Sequence, residues 1–156
     1  MSKDPDFDLQ AAHKFFAASC FNQAWDLIDK KERTPEEDEQ MIRLSQASLW
    51  HWTQRVDCTA RNLSVGYWQA ARVYALAGRV EEAQRYGQLC LDNSKDEVPF
   101  YLGYAYEALA RSEALAGDHS QAKAYLEMAR AEAEKVSDNE ARQMLLDDLR
   151  TILLQA

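Results

Sequence analysis

Tyr67-Trp68-Gln69-Ala70-Ala71-Arg72-Val73-Tyr74-Ala75-Leu76-Ala77-Gly78 returns 39 residues later as Tyr106-Glu107-Ala108-Leu109-Ala110-Arg111-Ser112-Glu113-Ala114-Leu115-Ala116-Gly117. Over positions 67–86, nine of twenty residues match those 39 places on, with Ala83 meeting Ala122 and Tyr86 meeting Tyr125. Average amino-acid usage gives about one or two such matches. Apolar residues recur at spacings of three and four on both sides of each Gly, which marks helix, turn, helix, with Gly taking the left-handed position that ends the first helix. The decisive unit is therefore a helical hairpin present twice.

Working outward, the same spacing predicts about eight helices in one all-α domain spanning 1–156. A first hairpin is expected at about 6–30, from helices over 6–18 and 21–30. It is supported by a fainter match at an offset of 59, with Ala12 on Ala71, Phe15 on Tyr74, Ser19 on Gly78 and Ala24 on Ala83. A long helix at about 35–54 is expected as an insertion, opened by Thr34-Pro35-Glu36-Glu37, where a hydroxyl caps, Pro takes the first helical position and Glu37 closes a capping box. Hairpin 2 falls at about 61–92 and hairpin 3 at about 99–135. Ser137-Asp138-Asn139-Glu140 reads as a second capping box, opening a capping helix at about 138–154. That helix continues the 39-residue phase, and its Asp147 and Asp148 suit the polar outer face that a terminal repeat needs.

The spacing of Tyr67, Ala71, Tyr74, Gly78 and Ala83, and of Tyr106, Ala110, Gly117 and Ala122, resembles the tetratricopeptide repeat. The resemblance covers about residues 8–130. It departs from the family in its 39-residue period, in lacking a Pro at the repeat end, and in Glu113, which stands where the second aromatic belongs. The wording around 21–26, 50–52 and 106–111 is also similar to a group of small uncharacterised bacterial proteins of this type. The resemblance implies a right-handed superhelix of antiparallel hairpins with a concave groove that binds protein or peptide, and it brings no catalytic activity. It also implies groove positions on the first helix of each hairpin: His13, Trp68, Arg72, Tyr104, Glu107 and Arg111.

Composition narrows the function classes. Of 156 residues, 47% are hydrophobic and 28% charged, with five Gly and three Pro, which excludes collagen-like and low-complexity chains and disfavours a many-turned β-sandwich. A net charge of −8 sets nucleic-acid phosphates and anionic membranes against the chain. No apolar run approaches the ~18 residues of a membrane span. The start, Met1-Ser2-Lys3-Asp4-Pro5, has no basic region followed by an apolar core. Three widely spaced cysteines, Cys20, Cys58 and Cys90, fit reduced packing residues and a cytoplasmic location better than a disulfide framework or a zinc site.

Chemistry-bearing motifs are absent. The three His have no partner at metal-ligand spacing, and the Gly are scattered singly, away from any phosphate-binding loop. Cys20, at the expected helix junction, is the best thiol candidate, and packing is its ordinary role. No cofactor, metal or catalytic residue is therefore expected. Arg72 and Arg111, one repeat apart, are placed to clamp a carboxylate or acidic peptide, and changing both to Ala is expected to abolish capture without unfolding the chain. The alternative is that Glu107 and Arg111 merely neutralise each other at i, i+4. Trp50-His51-Trp52 puts two indoles about 200° apart, so both cannot face one core; packing of the second across a neighbouring hairpin is favoured over a place in the groove or at an interface. Non-catalytic peptide binding is the leading expectation. A homodimer through the inserted helix, or a small-molecule-binding regulator or enzyme, are the others.

Overall fold

The computed structural model describes residues 4–152 and 154. Residues 1–3, on which the reading of the N-terminus partly rests, lie outside that range. The described residues form seven α-helices and no strand: α1 (Leu9–Ile28), α2 (Pro35–Thr53), α3 (Ala60–Leu76), α4 (Val80–Asp92), α5 (Pro99–Ala116), α6 (His119–Glu134) and α7 (Asn139–Arg150). The expected all-α hairpin array is present, with seven helices in place of eight.

The difference lies at the N-terminus. Residues 9–28 form one unbroken helix where two short ones were expected. Ser19 had been aligned with Gly78, yet the stretch holds neither Gly nor Pro, and nothing in it forbids helical backbone. Asp8 caps the start by accepting from the Ala11 N–H. The expected insertion at 35–54 is consequently α2, the second helix of the first hairpin. Its start is as read: Thr34 and Glu37 exchange capping-box hydrogen bonds, with Pro35 at the first position. Three consecutive hairpins, α1–α2, α3–α4 and α5–α6, need no reversal of chain direction.

The two repeats match in geometry as well as in wording. Gly78 and Gly117 have φ of +74° and +83°, a region costly for residues with a Cβ. The turns close alike, with Arg79 N–H donating to the Tyr74 carbonyl at 2.8 Å and Asp118 N–H to that of Glu113 at 3.0 Å. Tyr67 lies 6.1 Å from Tyr86 and Tyr106 lies 6.3 Å from Tyr125, ring centre to ring centre. Ala71, Ala110, Ala83 and Ala122 are buried at the hairpin crossings, where small side chains let helix axes approach to about 8–10 Å.

Stacking places α1, α3 and α5 side by side, while the backbones of α2, α4 and α6 stay apart from one another. The odd-numbered helices thus form the inner layer. Helix α7 packs on α5 and α6, where the first helix of a fourth hairpin would sit. Its Leu145 and Leu149 are buried against Ala110, Leu126 and Ala129. Asp138 rather than Ser137 caps it, accepting from the Ala141 N–H. It ends at Arg150, short of the expected Leu154, and residue 153 lies outside the described range. Glycines admit a leucine from a neighbouring helix at three joints. A Cβ on Gly66 would meet Leu49 at 2.5 Å, one on Gly87 would meet Leu109 at 3.1 Å, and one on Gly103 would meet Leu145 at 2.5 Å.

Candidate functional site

The inner layer carries a continuous arc of six aromatic rings. Phe21 and Trp25 on α1 are 6.5 Å apart, Trp25 and Trp68 of α3 5.5 Å, and Trp68 and Tyr104 of α5 5.3 Å. Tyr104 then meets Phe100 at 5.1 Å, and Phe100 meets Tyr101 at 5.3 Å. Most of these contacts are edge-to-face, the arrangement that ring quadrupoles favour. The arc bounds a cavity of about 290 Å³, completed by Val65 and Ser64 of α3 and by Met144 and Asp148 of α7. Its lining is almost wholly apolar, and Asp148 is the one charged residue on it. Each of the three hairpins' contributions comes from helices the repeat places alongside one another, and α7 supplies the far wall.

Behind the arc lies a buried charge cluster. Glu107 has no exposed surface. Its Oε2 accepts from Trp68 Nε1 at 2.8 Å, and its Oε1 accepts from Arg72 Nη2 at 3.0 Å and from Arg111 Nε at 2.8 Å. Arg111 Nη2 also lies 2.7 Å from that oxygen and donates to the Asp148 carbonyl and to Thr151 Oγ1. Burial by itself would raise the Glu107 carboxyl. The Arg72 and Arg111 charges, with the Trp68 and Arg111 hydrogen bonds, outweigh it and hold the group below the ordinary carboxylate range. Tyr104 donates to Asp148 Oδ2 at 2.6 Å. Burial, then that bond and the Asp148 charge, push its phenol far above its usual value, so it remains a donor. Asp148 Oδ1 lies 3.8 Å from Arg72 Nη2. Instead of facing outward with Asp147, Asp148 ties α7 to the inner layer.

The site expected from the sequence therefore divides. Trp68 and Tyr104 line the cavity. Arg72, Glu107 and Arg111 lie beside it as a paired set, with the two guanidinium side chains only 12% and 17% exposed. Both converge on one oxygen, which corrects the picture of two free clamps one repeat apart. His13 leaves the groove altogether. Its Nδ1 lies 2.9 Å from His51 Nδ1 between α1 and α2, because α1 runs through the point where a break had been inferred. Burial, then the charge of His13, lower the His51 pKa. Trp50 is 55% exposed and edge-on to His13. Trp52 carries the Arg55 guanidinium 3.9 Å above its ring. Cys20 is inside α1, not at a helix start, and burial raises its thiol pKa. Cys90 is buried and pushed up to about 12, which disfavours the nucleophilic thiolate.

Sequence reasoning passed over Phe21, Trp25, Phe100, Tyr101, Met144 and Asp148. The spacing of Phe21 and Trp25 at i, i+4 on one continuous helix was a usable signal. Among the described residues, no group of three or more His, Cys, Asp or Glu is arranged to hold a metal ion, and no helix is long and apolar enough to cross a membrane. No family model, no curated protein and no solved structure matches this chain.

Proposed function

We propose that this chain is a tetratricopeptide-like, cytoplasmic adaptor that binds a protein or peptide segment on its inner helical layer without catalysing a reaction. The observation that carries the reading is the six-ring arc, which joins all three hairpins around one cavity of about 290 Å³. Rigid rings on stacked helices present contact area already ordered, so little conformational entropy is lost on binding. The acidic-peptide preference weakens, since Arg72 and Arg111 are committed to Glu107. The free surface suits a segment that inserts one apolar or aromatic-compatible side chain.

Peptide display against the whole chain tests this. Enriched peptides should compete with one another and lose roughly tenfold or more in affinity for Phe100→Ala, a typical hot-spot loss, while the variant's thermal midpoint stays near wild type. Enrichment of none, or equal affinity for Phe100→Ala, rejects the reading.

A second reading rests on a separate observation. Phe15, Phe16 and Trp50 are 65%, 45% and 55% exposed and linked through His51 in one aromatic patch on the first hairpin. Self-association through that patch predicts a dimer that Trp50→Ala disperses in sedimentation. A monomer at all micromolar concentrations removes it.

A further inference from the structure

The inner-face site proposed above has a lining whose chemistry is more specific than apolar. Leu, Ile or Val would supply the same hydrophobic burial, yet six of the ten lining residues are aromatic. Aromatic faces differ from aliphatic walls in one respect that matters for recognition: their quadrupole attracts cations. Two of these rings are also polarised in the helpful direction. Trp68 donates its indole N–H to the Glu107 carboxylate at 2.8 Å, and Tyr104 donates its hydroxyl to the Asp148 carboxylate at 2.6 Å. A donor group bonded to an anion pushes electron density back into its ring, which deepens the negative face. Cations already lie over two members of the arc from outside the lining: Arg72 stands 5.2 Å from the Trp68 centre and Arg61 4.8 Å from that of Tyr101. Both guanidiniums face carboxylates outside the cavity, Arg72 that of Glu107 and Arg61 that of Glu97.

We infer that the arc formed by Phe21, Trp25, Trp68, Tyr104, Phe100 and Tyr101 is a cage for a quaternary ammonium group. The kind of cation follows from hydrogen-bond accounting. A primary ammonium brings three N–H donors that need acceptors, and the lining offers almost no polar surface; the Ser64 hydroxyl is buried against that of Ser94. A fully alkylated ammonium has no N–H to satisfy and a shell of methyl groups that suits ring faces. Size agrees: about 290 Å³ sits at the lower end of small-ligand pockets, about 300–1,000 Å³, enough for a head group and its first methylenes. Glu107 with Arg72 and Arg111 carries one net positive charge, and Asp148 balances it. The attraction therefore comes from the ring faces, not from a local excess of negative charge.

The test uses the full chain, one pair of probes that differ in charge alone, and a peptide series beside it. Tryptophan fluorescence and calorimetry are followed during titration with choline and with 3,3-dimethylbutan-1-ol, its neutral isostere. In parallel, a Gly/Ser-flanked peptide carries one trimethyl-lysine, lysine or leucine. Choline or the trimethyl-lysine peptide should bind roughly tenfold tighter than its neutral partner, in line with desolvated cation–π contacts. Phe100→Leu should reduce the preference for the cation over the neutral probe by about two- to fivefold, one ring's share. Binding of choline or of the trimethyl-lysine peptide above its neutral partner supports the cage, whichever of the two binds. A leucine peptide or neutral alcohol that binds as tightly, a lysine peptide that matches the trimethyl-lysine form, or binding of no probe at millimolar concentration overturns the cage, and the adaptor reading still stands or falls with peptide display.

Discussion

Replacing Glu107 by Gln keeps the size of the side chain and an oxygen for Trp68, and removes the charge that holds two buried guanidiniums. Three charge-assisted contacts, from Arg72 Nη2 at 3.0 Å, Arg111 Nε at 2.8 Å and Arg111 Nη2 at 2.7 Å, lose their anionic acceptor. Asp148, at 3.8 Å from Arg72, is too distant to replace it. Already in the native fold, the buried Arg72 Nε has no acceptor among the described residues. Stripping one partner from a buried ion set costs about 3–5 kcal/mol, against roughly 5–15 kcal/mol for the stability of a whole domain. At about 2–4 °C per kcal/mol for a chain of this size, the thermal midpoint should fall by roughly 6–20 °C. Urea denaturation at neutral pH, followed by helical circular dichroism and tryptophan emission, measures it. The triple variant Arg72→Met/Glu107→Leu/Arg111→Met should recover most of the loss, because well-packed apolar replacements of buried ion sets are often neutral. The pH dependence has a defined sign. A carboxyl held below its ordinary value stabilises the fold fully above about pH 4.3 and loses that contribution as pH falls through its lowered folded value. The wild-type minus Glu107→Gln difference should therefore shrink below about pH 4, while exposed pairs such as Lys30–Glu37 and Arg79–Glu82 act on both proteins alike. A loss under about 1 kcal/mol, the size of an exposed pair, would refute the reasoning and return Arg72 and Arg111 to the pool of free binding groups.

Gly103→Ala places a Cβ 2.5 Å from Leu145 Cδ2, and overpacking of this kind costs about 1–3 kcal/mol. Leu145→Ala on the same chain should relieve part of that cost in a double-mutant cycle by urea denaturation, and strictly additive losses would show that α7 does not seat at Gly103. The lowered pKa of His51 means that its neutral form is favoured in the fold, so stability is complete above about pH 6.5 and declines as pH falls through the folded value. His51→Gln should flatten the fall of the thermal midpoint that sets in below about pH 6.5. An unchanged slope in that variant would clear the His13–His51 pair of responsibility.

The hairpins of 61–92 and 99–135 were legible because their turns demand Gly at positive φ and their crossings demand Ala, and both demands leave residue-type signatures. The first hairpin was misplaced because Ser19 stood at the aligned Gly position, and a weak alignment was allowed to outrank the local absence of any helix breaker from Leu9 to Ile28. That slip carried His13 into the groove and kept Phe21 and Trp25 out of it. The role of Arg72 and Arg111 was open in the sequence because an i, i+4 pair and a ligand clamp use the same residues. Only the burial of Glu107, a tertiary property, decides between them. The same burial makes Arg72→Ala with Arg111→Ala a poor probe of binding, since it would leave a buried carboxylate without its cations. Asp148 was read as facing solvent because the helix wheel of α7 cannot show which side meets α5.

Positions that match between the repeats and positions that differ have separate jobs. Tyr67/Tyr106, Ala71/Ala110, Ala83/Ala122 and Tyr86/Tyr125 are identical, and they fill the hairpin crossings. The cavity is lined instead by residues whose counterparts 39 places away are different. Phe100 stands against Arg61, Tyr101 against Asn62, Tyr104 against Val65, and Ser64 against Gly103. Trp68 and Glu107 occupy the same repeat position, and their divergence turns two stacked equivalents into a donor and an acceptor 2.8 Å apart. A stack of equal repeats would place like beside like at every inner position, which suits packing and cannot set an indole donor against a carboxylate acceptor at one repeat position. The array needs its copies alike where helices cross and unlike where the inner face is exposed. The repeated Arg72 and Arg111 are both engaged by Glu107, and the contacts proposed above fall on the departures from the repeat.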